Sequence, residues 1–302
     1  EQMRIAEQRN RLEAEIEARE SERSRIALDL HDEVGALLST VKLYMSYPAT
    51  AESHTEKEES IRIKAQEMLD ASRERPNLIT QIVPSPLTFK IDNLLQEKIA
   101  EGYVGEILGV SVQSLGNNFI DQGGPMHWRN DRDLSGFNIL NMGIWYEAMI
   151  RWVGRATSVA SMTKINVSSR KDEEGKLTPV TIPDHVNIIA QLANGAQANM
   201  HFSAVTGLSS GNGVWIYGSE GTIHVDGGLN IYGGQRGDDK LSEIPNPEET
   251  RAFWRVEEEF CNAIRGLEKI TRTPFEVGLH YMEFTEAVTR SAQSGQTVAL
   301  PL

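Results

Sequence analysis

Two groups of residues in this sequence carry chemically useful side chains at useful spacing. His31 is followed directly by Asp32, within a segment running from Ser24 through Gly35 to Ser39. A carboxylate beside an imidazole can orient the ring and take its proton as the ring nitrogen attacks an electrophile. The second group is His127, Trp128, Arg129, Asp131 and Arg132, followed by Tyr146 and Glu147. A guanidinium such as that of Arg129 can grip a carboxylate or a pair of hydroxyls, and the Trp128 indole can stack on a sugar ring. His185, His201 and His224 fall in three separate segments. They could bind a metal only if the fold made them converge, and they are read as sheet-face histidines, with no metal site. Cys261 is the one cysteine of the chain. It sits in a helical pattern without a paired base and is read as a structural thiol.

These residues need elements to position them. Residues 1 to about 72 hold a single glycine, Gly35, and a single proline, Pro48. Apolar residues at 12, 16, 26, 30 and 37 follow a seam of period 3.5. The spacing predicts one helix to about Tyr44, a break at Pro48 and a second helix over about 56–73. Such a hairpin is too thin to bury its own apolar face and would dimerise into a four-helix bundle. From Asn77 onward the texture changes to glycine, asparagine and β-branched residues. Strands are predicted at 77–83, 106–115, 157–168, 185–193, 196–205, 213–218 and 221–225, and helices at 88–101, 138–153, 248–266 and 275–293. Asn194-Gly195 favours a tight hairpin, and the stretches 207–213 and 227–237 read as hairpin loops. The expected fold class is α+β: an N-terminal helical hairpin (1–72), then a mostly antiparallel open sheet with helices on one face (77–302).

Bulk properties narrow the function classes. The net charge of −13 opposes nonspecific attraction to nucleic acid or anionic membranes. No apolar run reaches the roughly 18–20 residues of a membrane span, and Glu1–Arg25 lacks the apolar stretch of a secretory signal. The cytoplasm is the expected compartment.

The segment around His31 resembles the phosphoacceptor region of the dimerisation domain of sensor histidine kinases. That resemblance implies His31 as phosphoacceptor and Asp32 as its base. The glutamine that the family pattern places four residues after the aspartate is Ala36 here, which puts phosphatase activity in doubt. No nucleotide-binding kinase domain follows.

From about Ala65 onward the sequence resembles the Gfo/Idh/MocA family of nicotinamide-dependent oxidoreductases. The landmarks come in order: Asn77–Val83 with Pro84-Ser85-Pro86, then Gly102-Tyr-Val-Gly105-Glu106, Trp128-Arg-Asn-Asp131, Ser135-Gly136, Met142-Gly143, Arg151-Trp152-Val-Gly154 and Tyr217-Gly218-Ser219-Glu220-Gly221. The resemblance implies the family's second, α/β domain. Members bind NAD(P) through a glycine-rich loop after the first strand, and no Gly-x-Gly-x-x-Gly follows an apolar strand here. Glu56-Lys57-Glu58 lies near the place of the family's catalytic Glu-Lys-Pro but lacks the proline. Where many members have Asp-x-Gly-x-His, this chain has Asn141, Gly143 and Trp145, and an indole cannot relay a proton at neutral pH.

The resemblance therefore implies substrate contacts from His127, Trp128, Arg129, Asp131, Tyr146 and Glu147, with a sugar-like small molecule as ligand. It implies no cofactor in this chain and NAD(P) in full-length relatives. The expectation is the substrate and oligomerisation half of a sugar- or polyol-type dehydrogenase, truncated or chimeric, forming a homo-oligomer through the hairpin and the sheet. The alternative is a signalling module built on His31. With its parallel neighbours missing, strand 77–83 is expected to expose an apolar edge.

Overall fold

A computed structural model describes residues 54–116 and 118–302, with side chains from residue 62 onward. His31, Asp32 and the first predicted helix lie outside the described residues. Contacts divide the chain into two units, Glu1–Lys57 and Glu58–Leu302. Of the first unit only residues 54–57 are described, as the start of a helix.

Helix α1 (His54–Glu74) buries Leu69 at 2 % exposure and carries Arg62, whose Nε lies 3.3 Å from Glu286. After it come α2 (Phe89–Ala100), β1 (Ile107–Leu115), the short α3 (Arg132–Ser135) and α4 (Met142–Val153). Then follow β2 (Ala156–Lys164), the small hairpin β3 (Ser169–Lys171) and β4 (Leu177–Pro179), β5 (His185–Leu192), β6 (Gln197–Ser203), β7 (Gly213–Gly218), β8 (Gly221–Val225), β9 (Ile231–Gln235) and β10 (Ser242–Glu243). Helices α5 (Val256–Ile264) and α6 (Phe275–Ser294) and strand β11 (Val298–Ala299) end the chain.

Nine strands form one sheet in the order β10-β9-β8-β7-β1-β6-β5-β2-β11. The pairings are antiparallel except β1 with β6. Alternation does the sorting: Val110 and Val112 of β1, Ala198, Met200 and Phe202 of β6, and Val186 and Ile188 of β5 are all buried. They join Met142, Trp145, Met149 and Phe284 of α4 and α6 in one core. The opposite face shows Ser111, Asn187, Ile189 and Asn199. An α+β architecture with a large, mostly antiparallel sheet is what the residue pattern requires. Asn194-Gly195 makes the expected β5–β6 turn, with Gly195 at φ +91°.

Three expectations need correction. Residues 77–83 form no strand. Their β-branched residues supply the propensity, but no strand lies beside them among the described residues. The segment is instead held by Ile82, whose N donates to Thr273 O at 2.9 Å and whose carbonyl accepts from the Thr273 hydroxyl, and by Gln81, whose Nε2 donates to Glu259 at 2.8 Å. The Ile82 side chain lies against Gly278 of α6, where a Cβ would collide with it. The second correction concerns 227–237, which is not all loop. Gly233 and Gly234 lie inside β9, and a Cβ on Gly233 would meet Ile244 Cδ1 at 2.6 Å and the Tyr103 hydroxyl at 2.7 Å. Third, α5 is shorter than 248–266, because residues 251–255 approach it as extended and irregular chain.

Candidate functional site

The end of β1 and the beginning of α4 come together as a polar cluster. Asn141 precedes α4, and its Nδ2 donates to Ser114 Oγ of β1 at 2.7 Å. Asn138 takes over the capping, its Oδ1 accepting from Gly143 N at 3.0 Å. Leu140 between them has φ +53°, a left-handed conformation that a leucine adopts only when its surroundings impose it. The strained residue presents its carbonyl to Arg129, whose Nη1 donates to it at 3.2 Å.

Arg129 belongs to a short 3₁₀ turn, Trp128–Asn130. His127 and Asn130 cap it reciprocally: Arg129 N donates to His127 Nδ1 at 3.2 Å and His127 N to Asn130 Oδ1 at 3.1 Å. Trp128 stays 48 % exposed. The Arg129 guanidinium lies 4.3 Å from the centre of its ring and the His127 ring 5.6 Å away, tilted by 35°. Asp131 caps α3 by accepting from Asp133 N at 2.8 Å. The whole loop is strapped to the β3–β4 arm, because Met126 N donates to Lys171 O at 2.7 Å and Thr181 N to Asn130 O at 3.0 Å. His127 and Arg129 thus lie against the half-exposed Trp128 indole, whereas the Asp131 carboxylate is turned to the start of α3.

Tyr146 and Glu147 sit elsewhere. Tyr146 is 1 % exposed and stacks on Phe284 at 3.6 Å, and its hydroxyl accepts from Ala156 N at 2.9 Å. Burial pushes its phenol up to about 12. Glu147 is 7 % exposed and bonded by Arg151 Nη1 at 2.6 Å and by Ser85 N at 3.3 Å. Burial raises its carboxyl above the usual carboxylate range, and the Arg151 charge opposes that rise. Trp145 lies in the core at 2 % exposure, and its indole N–H has no hydrogen-bond partner among the described residues. Of Lys57 the structure describes only the backbone, inside α1.

The histidines were expected to stay apart, and two of them touch. His185 and His201 lie on the neighbouring strands β5 and β6 with rings edge-on at 4.9 Å, whereas His224 stacks on Trp215 at 3.7 Å. Burial, then the nearby His185, lowers the pKa of His201; burial lowers that of His224 against the pull of Asp226. Among the described residues no group of three or more metal-binding side chains comes together. Cys261 is exposed, so its thiol is not part of the core.

Sequence reasoning missed Ser114 and Asn138. Asn138 had a faint signal, a capping-type residue just ahead of an apolar helix. Ser114 had none, since only the β1–α4 approach makes it matter.

Residues 93–224 match the family described as the GFO/IDH/MocA C-terminal domain. Over those residues the chain is similar to a Gfo/Idh/MocA C-terminal domain. Comparison with curated proteins finds no match. Among solved structures, a levoglucosan dehydrogenase in complex with NADH and L-sorbose superposes with a TM-score of 0.69 at 19 % identity, over 80 % of this chain and 71 % of that one. The WlbA dehydrogenase of Bordetella pertussis, in complex with NADH and UDP-GlcNAcA, gives 0.58 at 19 % identity, over 80 % and 68 %. A super-repressor mutant of Gal80p from Saccharomyces cerevisiae gives 0.60 at 16 %, over 79 % and 69 %. At such identities the likeness is one of fold, shared by oxidoreductases and by a repressor.

Among the described residues the glycine-rich stretches serve packing: Gly207 backs onto the Phe119 ring, and Gly233 and Gly234 are closed off by Tyr103, Ile244 and Leu241. None opens a helix after a parallel strand, the arrangement that presents backbone amides to a pyrophosphate. No described helix is long and apolar enough to cross a membrane.

Proposed function

We propose that residues 58–302 form the substrate-binding part of a nicotinamide-dependent oxidoreductase that acts on a sugar or polyol. The observation that carries this reading is the half-exposed Trp128 with Arg129 fixed above it, beside the polar cluster of Ser114, Asn138 and Asn141. An aromatic face with a cation and several amides around it matches the alternating apolar and hydroxyl surfaces of a sugar ring. In this role Arg129 and Asp131 orient hydroxyls, Trp128 takes a ring face, and Asn141 hydrogen-bonds near the start of α4. Tyr146 and Glu147 act behind them, fixing α4. The described residues bind and orient the substrate in this reading.

Titration of the whole chain with L-sorbose, levoglucosan and a set of polyols, followed by calorimetry or ligand-observed NMR, tests the idea. At least one should bind with a Kd of about 1 mM or tighter, and Trp128→Ala or Arg129→Ala should weaken it about tenfold or more. Absence of saturable binding by every sugar, or binding indifferent to both substitutions, would refute it.

The same reading includes self-association through the open sheet face. Strands β7, β1, β6 and β5 present Trp215, Tyr217, Ser111, Gln113, Asn199 and Ile189 there, without a carboxylate among them. In a chain of net charge −13 this face is one that two copies can bring together without like-charge repulsion. Ile189 is 61 % exposed and Tyr217 43 %. Sedimentation should show an oligomer that Ile189→Asp dissociates; a monomeric wild-type chain at micromolar concentration is the contrary result.

A further inference from the structure

A second concave site lies away from Trp128, where the chain entering α5 crosses the start of α2. It is a cavity of about 270 Å³, and Phe89, Phe253, Lys269, Arg272, Arg255 and Glu259 dominate its lining. Its apolar side is unusual in one respect. Phe89 is 4 % exposed, but Phe253 beside it is 65 % exposed, a phenyl ring left in water at the mouth of a cavity. Trp254, 43 % exposed, lies 6.2 Å from the Phe89 ring.

The charged side is unbalanced. Arg255 is spent on Glu258 at 3.0 Å and Glu268 at 3.3 Å. Glu259 accepts from Gln81 Nε2 at 2.8 Å. Arg272 lies over the Phe89 ring at 5.0 Å, and among the described residues its carboxylate neighbour is Asp92 at 3.6 Å. Asp92 is already bonded to Arg151 at 3.1 Å and to Trp152 at 2.8 Å. Lys269 has no hydrogen bond or ion pair among the described residues. The lining thus sets three cations against the carboxylates Glu259 and Glu268, in a protein that is acidic overall.

We infer that this cavity binds a small organic monoanion, a carboxylate with a compact aromatic or apolar body. The carboxylate sits between Lys269 and Arg272, and the body covers Phe253 against Phe89. Charge sets the sign of the ligand, since the three cations of the lining outnumber its two carboxylates and Lys269 is the one left unpaired among the described residues. The exposed ring sets its apolar half, because covering Phe253 removes apolar surface from water. The volume sets its size, below that of a nucleotide.

The test uses 3-phenylpropionate as probe on the full chain, read by tryptophan fluorescence at low salt. Saturable quenching below about 10 mM is expected, and it should vanish in Trp254→Phe, which reports on this cavity. Lys269→Glu should weaken binding about fivefold or more without altering the melting temperature, since Lys269 is exposed and unpaired. Phe253→Ala should weaken it as well, and Trp128→Ala should leave it unchanged, which separates this site from the sugar site. The inference is overturned by any of three results: no saturable signal, equal binding of 2-phenylethylamine, or unaltered affinity in Lys269→Glu.

Discussion

Arg151→Met is expected to remove about 3–5 kcal/mol of folding stability at neutral pH. The Arg151 side chain is 7 % exposed and is bonded to Asp92, Glu147 and the Thr88 hydroxyl at 3.1, 2.6 and 3.0 Å. Asp92 and Glu147 are themselves 1 % and 9 % exposed at the side chain. Methionine fills much of the same space but leaves the buried Glu147 without its cation and Asp92 with only the more distant Arg272, at 3.6 Å. The effect has a pH signature. Burial already raises the Glu147 carboxyl, and Arg151 is the main influence holding it down. A carboxyl raised in the fold contributes most when protonated, below its unfolded value, and that contribution fades as pH climbs through the folded value. Without Arg151 the raised value moves higher. The deficit of the variant should therefore shrink on acidification into the ordinary carboxylate range and grow toward neutrality. Urea denaturation across that range, with Arg151→Met/Glu147→Gln recovering part of the loss, checks it. A deficit under about 1 kcal/mol at neutral pH would mean the network behaves like an exposed ion pair.

Gly218→Ala should be the most damaging single methyl in the sheet. A Cβ at that position would collide with the backbone carbonyl of Val104, and a second contact, with the Val104 carbonyl carbon, would be 2.8 Å. That carbonyl cannot swing aside freely. It accepts from Glu220 N at 2.9 Å, the adjacent Ser219 N donates to Glu106 O at 2.9 Å, and Val104 is fully buried. The 102–106 loop must retreat from the β7–β8 turn and lose those bonds, a loss of about 3 kcal/mol. Gly102→Ala makes the control: its φ is +78° but nothing stands within 4 Å, so only backbone strain of about 1–2 kcal/mol is expected. Thermal denaturation of the pair, with hydrogen exchange at Ser219 and Glu220, distinguishes them; equal losses would show that the contact is not what matters.

Much of the fold was legible because it is locally encoded. Strands β1, β5, β6, β7 and β8 carry two-residue alternation against a buried face, and Asn194-Gly195 specifies its own turn. Helices α2, α4 and α6 have an apolar stripe of helical period. The two errors over strands have one cause. Residues 77–83 carry strand propensity without a strand to pair with, whereas 231–235 carry two glycines yet pair because β8 lies alongside. Pairing is a property of neighbours, and neither segment contains its own.

The candidate site divides the same way. The loop 127–131 stood out by residue types alone, with tryptophan, arginine and aspartate close together, but which of them brace the loop and which face outward needed the fold. Tyr146 and Glu147 looked equivalent to them in the sequence, and only the position of α4 between α2 and α6 sends both inward.

By itself, then, the sequence determined the helices, the alternating strands and the side chains available for chemistry, because each depends on residues a few positions apart. Tertiary structure alone decided which of those side chains meet. Gly105 and Gly218, far apart in the chain and each a mere landmark along it, turn out to sit where two loops press together, Gly105 against Ser219 and Glu220 and Gly218 against Val104. Arg129 is aimed by the carbonyl of a strained Leu140 that no local pattern announces. Long-range packing selects such contacts, and it acts on shape and unmet hydrogen bonds that a linear reading does not contain.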